Sequence, residues 1–360
     1  MHSLNPLQLR ILQTIKRFDF GGAENHVRVL SNELANLNHE VFIFSFESGR
    51  QTNMLNPKVT FLGFCAFCGT LFFSVFKLIR IIRKHKIQLV HAHQRLPILS
   101  ASIAGYIMGV PVVATVHGRT GYDIRSRVSR AIPRSIIFVS RTTLEKSDYY
   151  NQIKAKSVLV NNGISDMNNN SIFIPYGIGY VSRIDSKHAC VIGHLIDLMP
   201  SIANANNTVT LSIFGGGKEL NYIKEKAIAV NRTMGREVVI IHGFVENLGS
   251  MELFPELILG VGRVAIEAAA RGCSVISANA NRLGDLITPE NYQFYSDNNF
   301  VNVNGSPPTA QTLYHQIVSF YENRVENRNK SLELCNVIHR DYNSEVVAKK
   351  ITSLYSSALL

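Results

Sequence analysis

Residues 10 to 46 read RILQTIKRFDFGGAENHVRVLSNELANLNHEVFIFSF. An apolar run, Arg10 to Ile15, is followed by paired glycines at Gly21 and Gly22, a helix-length stretch from Ala23 to Leu37 and a second apolar run from Glu40 to Phe46. Strand, glycine turn, helix, strand is the unit from which parallel sheets with crossover helices are built. The alternation continues outward. Strands are predicted at Val59 to Phe64, Leu89 to Ala92, Val112 to Val116, Ser135 to Val139 and Ser157 to Val160, with helices at Leu71 to His85, Ile98 to Met108 and Arg141 to Tyr150. The polar stretch Ser165 to Ser171 then reads as a linker. Beyond it, strands are predicted at Phe173 to Tyr180, Thr208 to Phe214, Val238 to His242, Leu257 to Leu259 and Ser274 to Ala278. Helices fall at Lys187 to Ala203, Lys218 to Thr233 and Arg263 to Arg271, and the tail from Thr309 is helical in pattern. The expectation is an α/β chain of two consecutive doubly wound domains, with the end of the tail packing back on the first.

A chain of 360 residues that is 46% hydrophobic and 18% charged is not disordered, and five cysteines are too few for a disulfide scaffold. Arg10, Lys16 and Arg17 interrupt any signal-peptide core in Met1 to Phe20, so cytosolic chemistry is expected. The net charge of +11 is lopsided: residues 1–170 hold 21 Lys and Arg against 9 Asp and Glu, whereas residues 171–360 hold 16 against 17. An anionic partner on the first half and plain solvation of a basic surface both fit. Nucleic acid would need aromatic residues interleaved with the charges or a reading motif, and with neither present no nucleic-acid partner is expected. Phe61 to Phe76 carries no charge and leads into Lys77, Arg80, Arg83, Lys84 and Lys86. Its 16 residues fall short of the roughly 20 that span a bilayer. A segment lying in an anionic membrane interface fits this pattern, and so does a buried strand followed by an amphipathic core helix.

Several turns have the residues for chemistry. Gly21 and Gly22 open a helix directly after a strand, where backbone amides and the helix dipole favour a negative group. His117, followed by Gly118, ends the run Val112 to Val116 and so sits at the strand edge where open α/β sheets bind ligands. His91 and His93 end another strand; without nearby Cys or carboxylates they make no metal site, and the lone pair of Cys65 and Cys68 makes none either. In the second half Gly215, Gly216 and Gly217 follow an apolar strand, and Arg183 with Lys187 lies just past another, two cations able to hold a diphosphate. Gly260-Val261-Gly262-Arg263 precedes a helix carrying Glu267, whose carboxylate could accept ribose hydroxyls while the first amides meet phosphate.

In order, these pieces resemble the retaining glycosyltransferases of family 4. The resemblance is carried by Gly21-Gly22-Ala23-Glu24, Val90-His91-Ala92-His93, Pro111 through Gly118, Asn162-Gly163-Ile164, Tyr180 through Asp185, and Gly262-Arg263 through Glu267-Ala268. It implies the GT-B fold, two facing Rossmann-like domains with the active site between them. On that reading residues 1–168 form the acceptor domain, 169–344 the nucleotide-sugar domain, and 345–360 a helix returning to the first. It implies His117 and Glu267 as catalytic residues. Gly22, Arg183, Lys187, Gly215, Gly262, Arg263 and Glu267 would bind the donor, and Gly21, Gly22 and His93 the acceptor. No metal or cofactor is expected. The co-substrate is a nucleotide-diphosphate sugar, UDP-sugar first among the candidates, and the acceptor a glycan or lipid-linked saccharide at an anionic membrane surface. The implied protein is cytoplasmic and peripheral on the inner face of the plasma membrane, and serves lipopolysaccharide, capsule or related polysaccharide synthesis.

The chain departs from the family pattern in particular places. Where the family has two glutamates eight positions apart, the second is Glu267 but the first position holds Leu259. A catalytically degenerate, nucleotide-sugar-binding partner subunit is the alternative this suggests, and Leu259→Glu is expected to be tolerated. Arg183 and Lys187 are one residue closer than the family interval, leaving Lys187 and His188 as rivals for the phosphate-facing place.

Overall fold

The computed structural model describes residues 8–19, 21–49, 51–64, 70–118, 122–165, 172–245 and 251–360. Cys65, Cys68 and positions 166–171 of the expected linker lie outside them. The chain forms two compact units, residues 1–165 with 341–360, and residues 166–340.

In the first unit the elements run β1 (Arg10–Ile15), α1 (Gly22–Asn36), β2 (Glu40–Ser45), β3 (Val59–Phe64), α2 (Leu71–His85), β4 (Leu89–His93), α3 (Arg95–Met108), β5 (Val112–Val116), α4 (Arg127–Ala131), β6 (Ser135–Phe138), α5 (Arg141–Glu145), α6 (Tyr150–Ile153) and β7 (Ser157–Leu159). The seven strands are parallel, in the order β3-β2-β1-β4-β5-β6-β7. Strand order reverses between β1 and β4, which opens a crevice at their carboxyl ends. The stretch 141–150, read as one helix, is two short ones, because the Ser147 hydroxyl accepts the Tyr149 amide at 3.4 Å and ends the first. One apolar layer packs α1 against the sheet through Val27, Leu30 and Leu34; the other packs α2 and α3 through Leu78, Ile82, Ile98 and Ala101. Each such side chain contributes about 1.5–3 kcal/mol on burial.

The second unit holds β8 (Ile172–Val181), α7 (Ser186–Ala205), β9 (Thr210–Phe214), α8 (Leu220–Met234), β10 (Val239–Gly243), β11 (Leu253–Gly260), α9 (Gly262–Ala270), β12 (Ser274–Ala278), β13 (Leu283–Leu286), α10 (Tyr292–Asp297), α11 (Ala310–Glu322) and α12 (Arg324–Tyr342). Its order, β10-β9-β8-β11-β12-β13, repeats the reversal of the first sheet, here between β8 and β11; β13 alone is antiparallel. The last helix, α13 (Ser344–Leu359), belongs to the first unit and adds Val347, Ile351 and Tyr355 to the core beneath α1.

Two expectations are corrected here. β11 starts at Leu253, four residues before the predicted strand, through Pro255 and Glu256. Proline is tolerated because the pairing with β8 slips between Pro255 and Leu257. Glu256 is tolerated because Arg324 pairs with its carboxylate at 2.7 Å and the Tyr176 amide donates to it at 3.0 Å. The second correction concerns Leu259, which pairs with Tyr180 of β8 and Ile276 of β12 and is fully buried. It is a core residue of a central strand, so a glutamate there would not be tolerated.

Candidate active site

The candidate residues of the first unit stand at the carboxyl ends of β1, β4 and β5. Gly21 precedes α1 and no side chain caps that helix, while a Cβ on Gly22 would meet nothing within 4 Å, so its backbone is open to a ligand. Gln94, at the end of β4, takes a left-handed φ of 68°. Its amide ties the loop together, accepting from the Lys16 amide at 3.1 Å and donating to Glu24 at 3.1 Å. A cavity of about 670 Å³ opens here, lined by Lys16, Arg17, Glu24, Gln94, Arg95 and Asp123. Burial holds the Asp123 carboxyl above the usual carboxylate range, opposed in part by the amides of His117 and Arg95 that it accepts.

Behind the cavity wall lies a buried histidine cluster. His93 Nδ1 is 2.9 Å from His117 Nε2, and His93 Nε2 is 2.8 Å from Gln13 Oε1. His91, on the same face of β4, bonds Thr115 Oγ1 at 2.7 Å and the Tyr355 hydroxyl at 2.6 Å. Burial pushes the pKa of His117 and of His91 down to about 3 and that of His93 well below its ordinary value, so all three are neutral imidazoles at neutral pH. His117 is the most outward of them, and its Nδ1 has no hydrogen-bond partner among the described residues. His93 is fully enclosed, with both ring nitrogens engaged. Enclosed in this way it has no free ring nitrogen to offer an acceptor, against the direct contact that the sequence suggested.

Among the described residues, His26, His93 and His117 are the one group with the geometry to hold a metal, their ligand atoms lying within 4.8 Å of one another. The His93–His117 hydrogen bond occupies two of the nitrogens that a metal would need. Sequence reasoning missed Gln13, Gln94, His26 and Tyr355. The available signal was Gln13, a polar residue in the middle of an apolar strand.

In the second unit the expected donor residues gather at the ends of β8, β9 and β11. Gly215 and Gly217 have φ of 145° and 159°, and a Cβ on them would stand 1.8 Å from Ser182 O and 2.3 Å from Ile184 O. Only glycine lets this turn lie against the loop that carries Arg183, which is exposed. Asp185 caps α7, accepting the amides of Lys187 at 3.1 Å and His188 at 3.0 Å. It also takes the His188 ring at 3.0 Å, and these bonds, the His188 amide first, hold its carboxyl below the ordinary range. His188 is thus turned onto Asp185, and the exposed Lys187 is the cation left facing solvent. The α9 start differs: no side chain caps it. Arg263 Nε pairs with Glu267 Oε1 at 2.7 Å, and Arg263 Nη1 is buried without a hydrogen-bond partner among the described residues. Uncapped amides and a guanidinium with one unpartnered nitrogen in the same turn are features that favour an anion.

Two α/β units with the same strand order and ligand-permissive strand ends define the class: this is a GT-B protein. Residues 20–166 match the family model described as Glycosyltransferase Family 4. This part of the chain is thus similar to the family 4 glycosyltransferases. Among solved structures, HepE of Anabaena in complex with UDP shares 18% identity over 97% of this chain and 100% of its own, with a TM-score of 0.72. A glycosyltransferase from Rickettsia africae shares 16% over 98% and 99%, with a TM-score of 0.74. A protein described as a putative UDP-N-acetylglucosamine 2-epimerase from Listeria monocytogenes shares 11% over 98% and 96%, with a TM-score of 0.64. No curated protein matches by sequence.

Proposed function

We propose that the protein is a retaining glycosyltransferase that moves a hexose or N-acetylhexosamine from a UDP-sugar to a saccharide acceptor held at a membrane surface. The observation that carries this is the second unit's cluster of cations and open amides: Arg263, paired with Glu267 and with Nη1 unpartnered among the described residues, at the uncapped start of α9, and the exposed Arg183 and Lys187 just past β8. Departure of a nucleoside diphosphate builds negative charge, and fixed cations and amides aimed at it lower the barrier without a metal. UDP is favoured because HepE has been solved with UDP and with UDP-glucose. His117, neutral and outward, is the residue offered to the transferred sugar, and Gly21 and Gly22 border the acceptor.

The membrane side of the proposal rests on α2. Its inner face buries Leu78, Ile81 and Ile82, while Phe72, Phe73 and Phe76 are 77, 53 and 61% exposed, with Arg80, Arg83 and Lys84 exposed further along. Aromatic rings beside a basic stripe suit an anionic interface. No helix among the described residues is long and apolar enough to cross a membrane.

Leu259 favours a second reading, a nucleotide-sugar-binding subunit without turnover, because it puts a core side chain where the family has a carboxylate. One experiment separates the two. Nucleoside diphosphate release is measured from UDP-, GDP-, ADP- and dTDP-sugars, with membrane extract as acceptor source and His117→Ala as control. Acceptor-dependent release from a UDP-sugar, lost in the control, supports the transferase; nucleotide binding without release from any donor supports the subunit; release without acceptor dependence points to neither.

A further inference from the structure

The basic excess of the first half stops at the cavity beside β1 and β4. Residues 1–170 carry 21 Lys and Arg against 9 Asp and Glu, yet the charged groups lining the cavity are Lys16, Arg17 and Arg95 against Glu24, Glu47 and Asp123, three of each sign. Glu47 takes both Lys16, at 3.2 Å, and Arg17. Glu24 accepts the Gln94 amide at 3.1 Å through one oxygen, and its other oxygen lies over Gly21, where a Cβ would fall. The Asp123 carboxylate rests on the amides of His117 and Arg95, which stabilise its charge against burial. The Arg95 guanidinium lies over the Tyr122 ring, 4.9 Å from its centroid, and pairs with no carboxylate among the described residues. Carboxylates that only accept and cations that only donate, set around one space of about 670 Å³, suit the hydroxyls of a sugar, each of which does both. The volume falls in the range of roughly 300–1,000 Å³ usual for small-molecule sites. Tyr122, 54% exposed, adds an aromatic surface for the C–H face of a pyranose. A carboxylate or phosphate entering the same space loses water with no net positive charge to offset the loss.

We propose that this cavity holds the terminal residue of the acceptor and selects a neutral sugar over an acidic or phosphorylated one, with Glu24, Asp123 and Arg95 as the specificity-determining groups. The inference rests on the reading of the protein as a transferase whose acceptor lies by Gly21 and Gly22. It separates two roles for charge in the first unit: the lining of the cavity is balanced, and the basic excess is left to outer surfaces such as the exposed Arg80, Arg83 and Lys84 of α2.

The test is saturation-transfer NMR on the intact protein, titrated with methyl glycosides of glucose, galactose and mannose and with the matching uronosides and sugar phosphates. At least one neutral glycoside should bind, and its acidic counterparts should bind about tenfold more weakly, the effect of one uncompensated charge across the cavity. Asp123→Asn keeps an oxygen for the two amides and removes one negative charge, so the ratio of neutral to acidic affinity should fall about tenfold, towards parity. Glu24→Gln should do the same, and it serves if Asp123→Asn does not fold. A purely structural role for either carboxylate would weaken both classes alike and leave the ratio where it was. An acidic sugar bound as tightly as its neutral counterpart overturns the proposal, as does a ratio that neither folded variant moves, or binding of no glycoside at all. Release of UDP from a UDP-sugar is measured alongside, with the glycoside that binds and with membrane extract. If the glycoside binds with the expected ratio and neither acceptor source draws release, the transferase reading fails and the preference of the cavity stands. If no glycoside binds while the extract draws release, the transferase reading stands and this inference fails.

Discussion

Replacing Leu259 by glutamate restores the carboxylate that the family pattern expects, and the structure assigns that change a cost. The side chain lies between β8 and β12 with no exposure. Losing the leucine forfeits about 1.5–3 kcal/mol of burial. The carboxyl also cannot ionise there: a buried glutamate titrates at about 8–9, against about 4.3 in the unfolded chain. At pH 7 the folded protein must then hold a proton that the unfolded chain releases, at about 1.4 kcal/mol for each of the roughly 2.7 pH units between 4.3 and 7. The combined loss of about 5–7 kcal/mol is comparable to the whole stability of a typical domain. The sign follows from a folded pKa raised above the unfolded one. The protonation cost is absent below about pH 4, grows as pH rises, and levels off above about pH 9. Urea unfolding of Leu259→Glu, followed by circular dichroism against wild type, should therefore show a deficit about 2.7 kcal/mol larger at pH 7 than at pH 5. Leu259→Gln should show a deficit that does not vary with pH. A glutamate variant with the wild-type midpoint at both pH values would put position 259 in a solvated loop and refute the argument.

Two further outcomes are expected. Arg324→Ala leaves the buried Glu256 carboxylate with only the Tyr176 amide, and should destabilise the second unit by about 3–5 kcal/mol in the same unfolding assay; an unchanged midpoint would mean that the pair is ornamental. Arg183→Ala and Glu267→Ala should each weaken UDP binding by about 1.5–3 kcal/mol, the scale of a lost charged hydrogen bond, read by calorimetric titration. Full affinity in both would show that the donor site lies elsewhere.

Periodicity made most of the fold legible, because parallel strands buried on both faces and amphipathic crossover helices leave strong local patterns. It failed where a local rule was overridden by a distant partner. Pro255 and Glu256 argue against a strand when read alone, and the slip in pairing and the Arg324 guanidinium that admit them lie far away in the chain. β13, four residues containing Gly284 and Asp285, has no alternating pattern to find. The site divides in the same way. Glycine turns and the cations beside them are sequence-local, and the sequence names the residues that supply them; the His93 environment is not local, since its partners come from β1 and the turn after β5 and the chain of bonds continues to α13.

The two departures at β11 and α9 bear on each other. A strand that carries Leu259 inward into the core cannot also present that position to a donor sugar, so of the two family positions only the one at Glu267 carries a carboxylate. Glu267 pairs with Arg263 at 2.7 Å, and an anion bound at Arg263 would compete for the same guanidinium. Binding of a diphosphate at Arg263 would then loosen Glu267 for the ribose, so that the two contacts form together. A pair that holds itself in place when empty and opens to a ligand carrying both a phosphate and a neighbouring diol favours nucleotides over inorganic phosphate. Such a preference would reside in α9 and would not depend on Leu259.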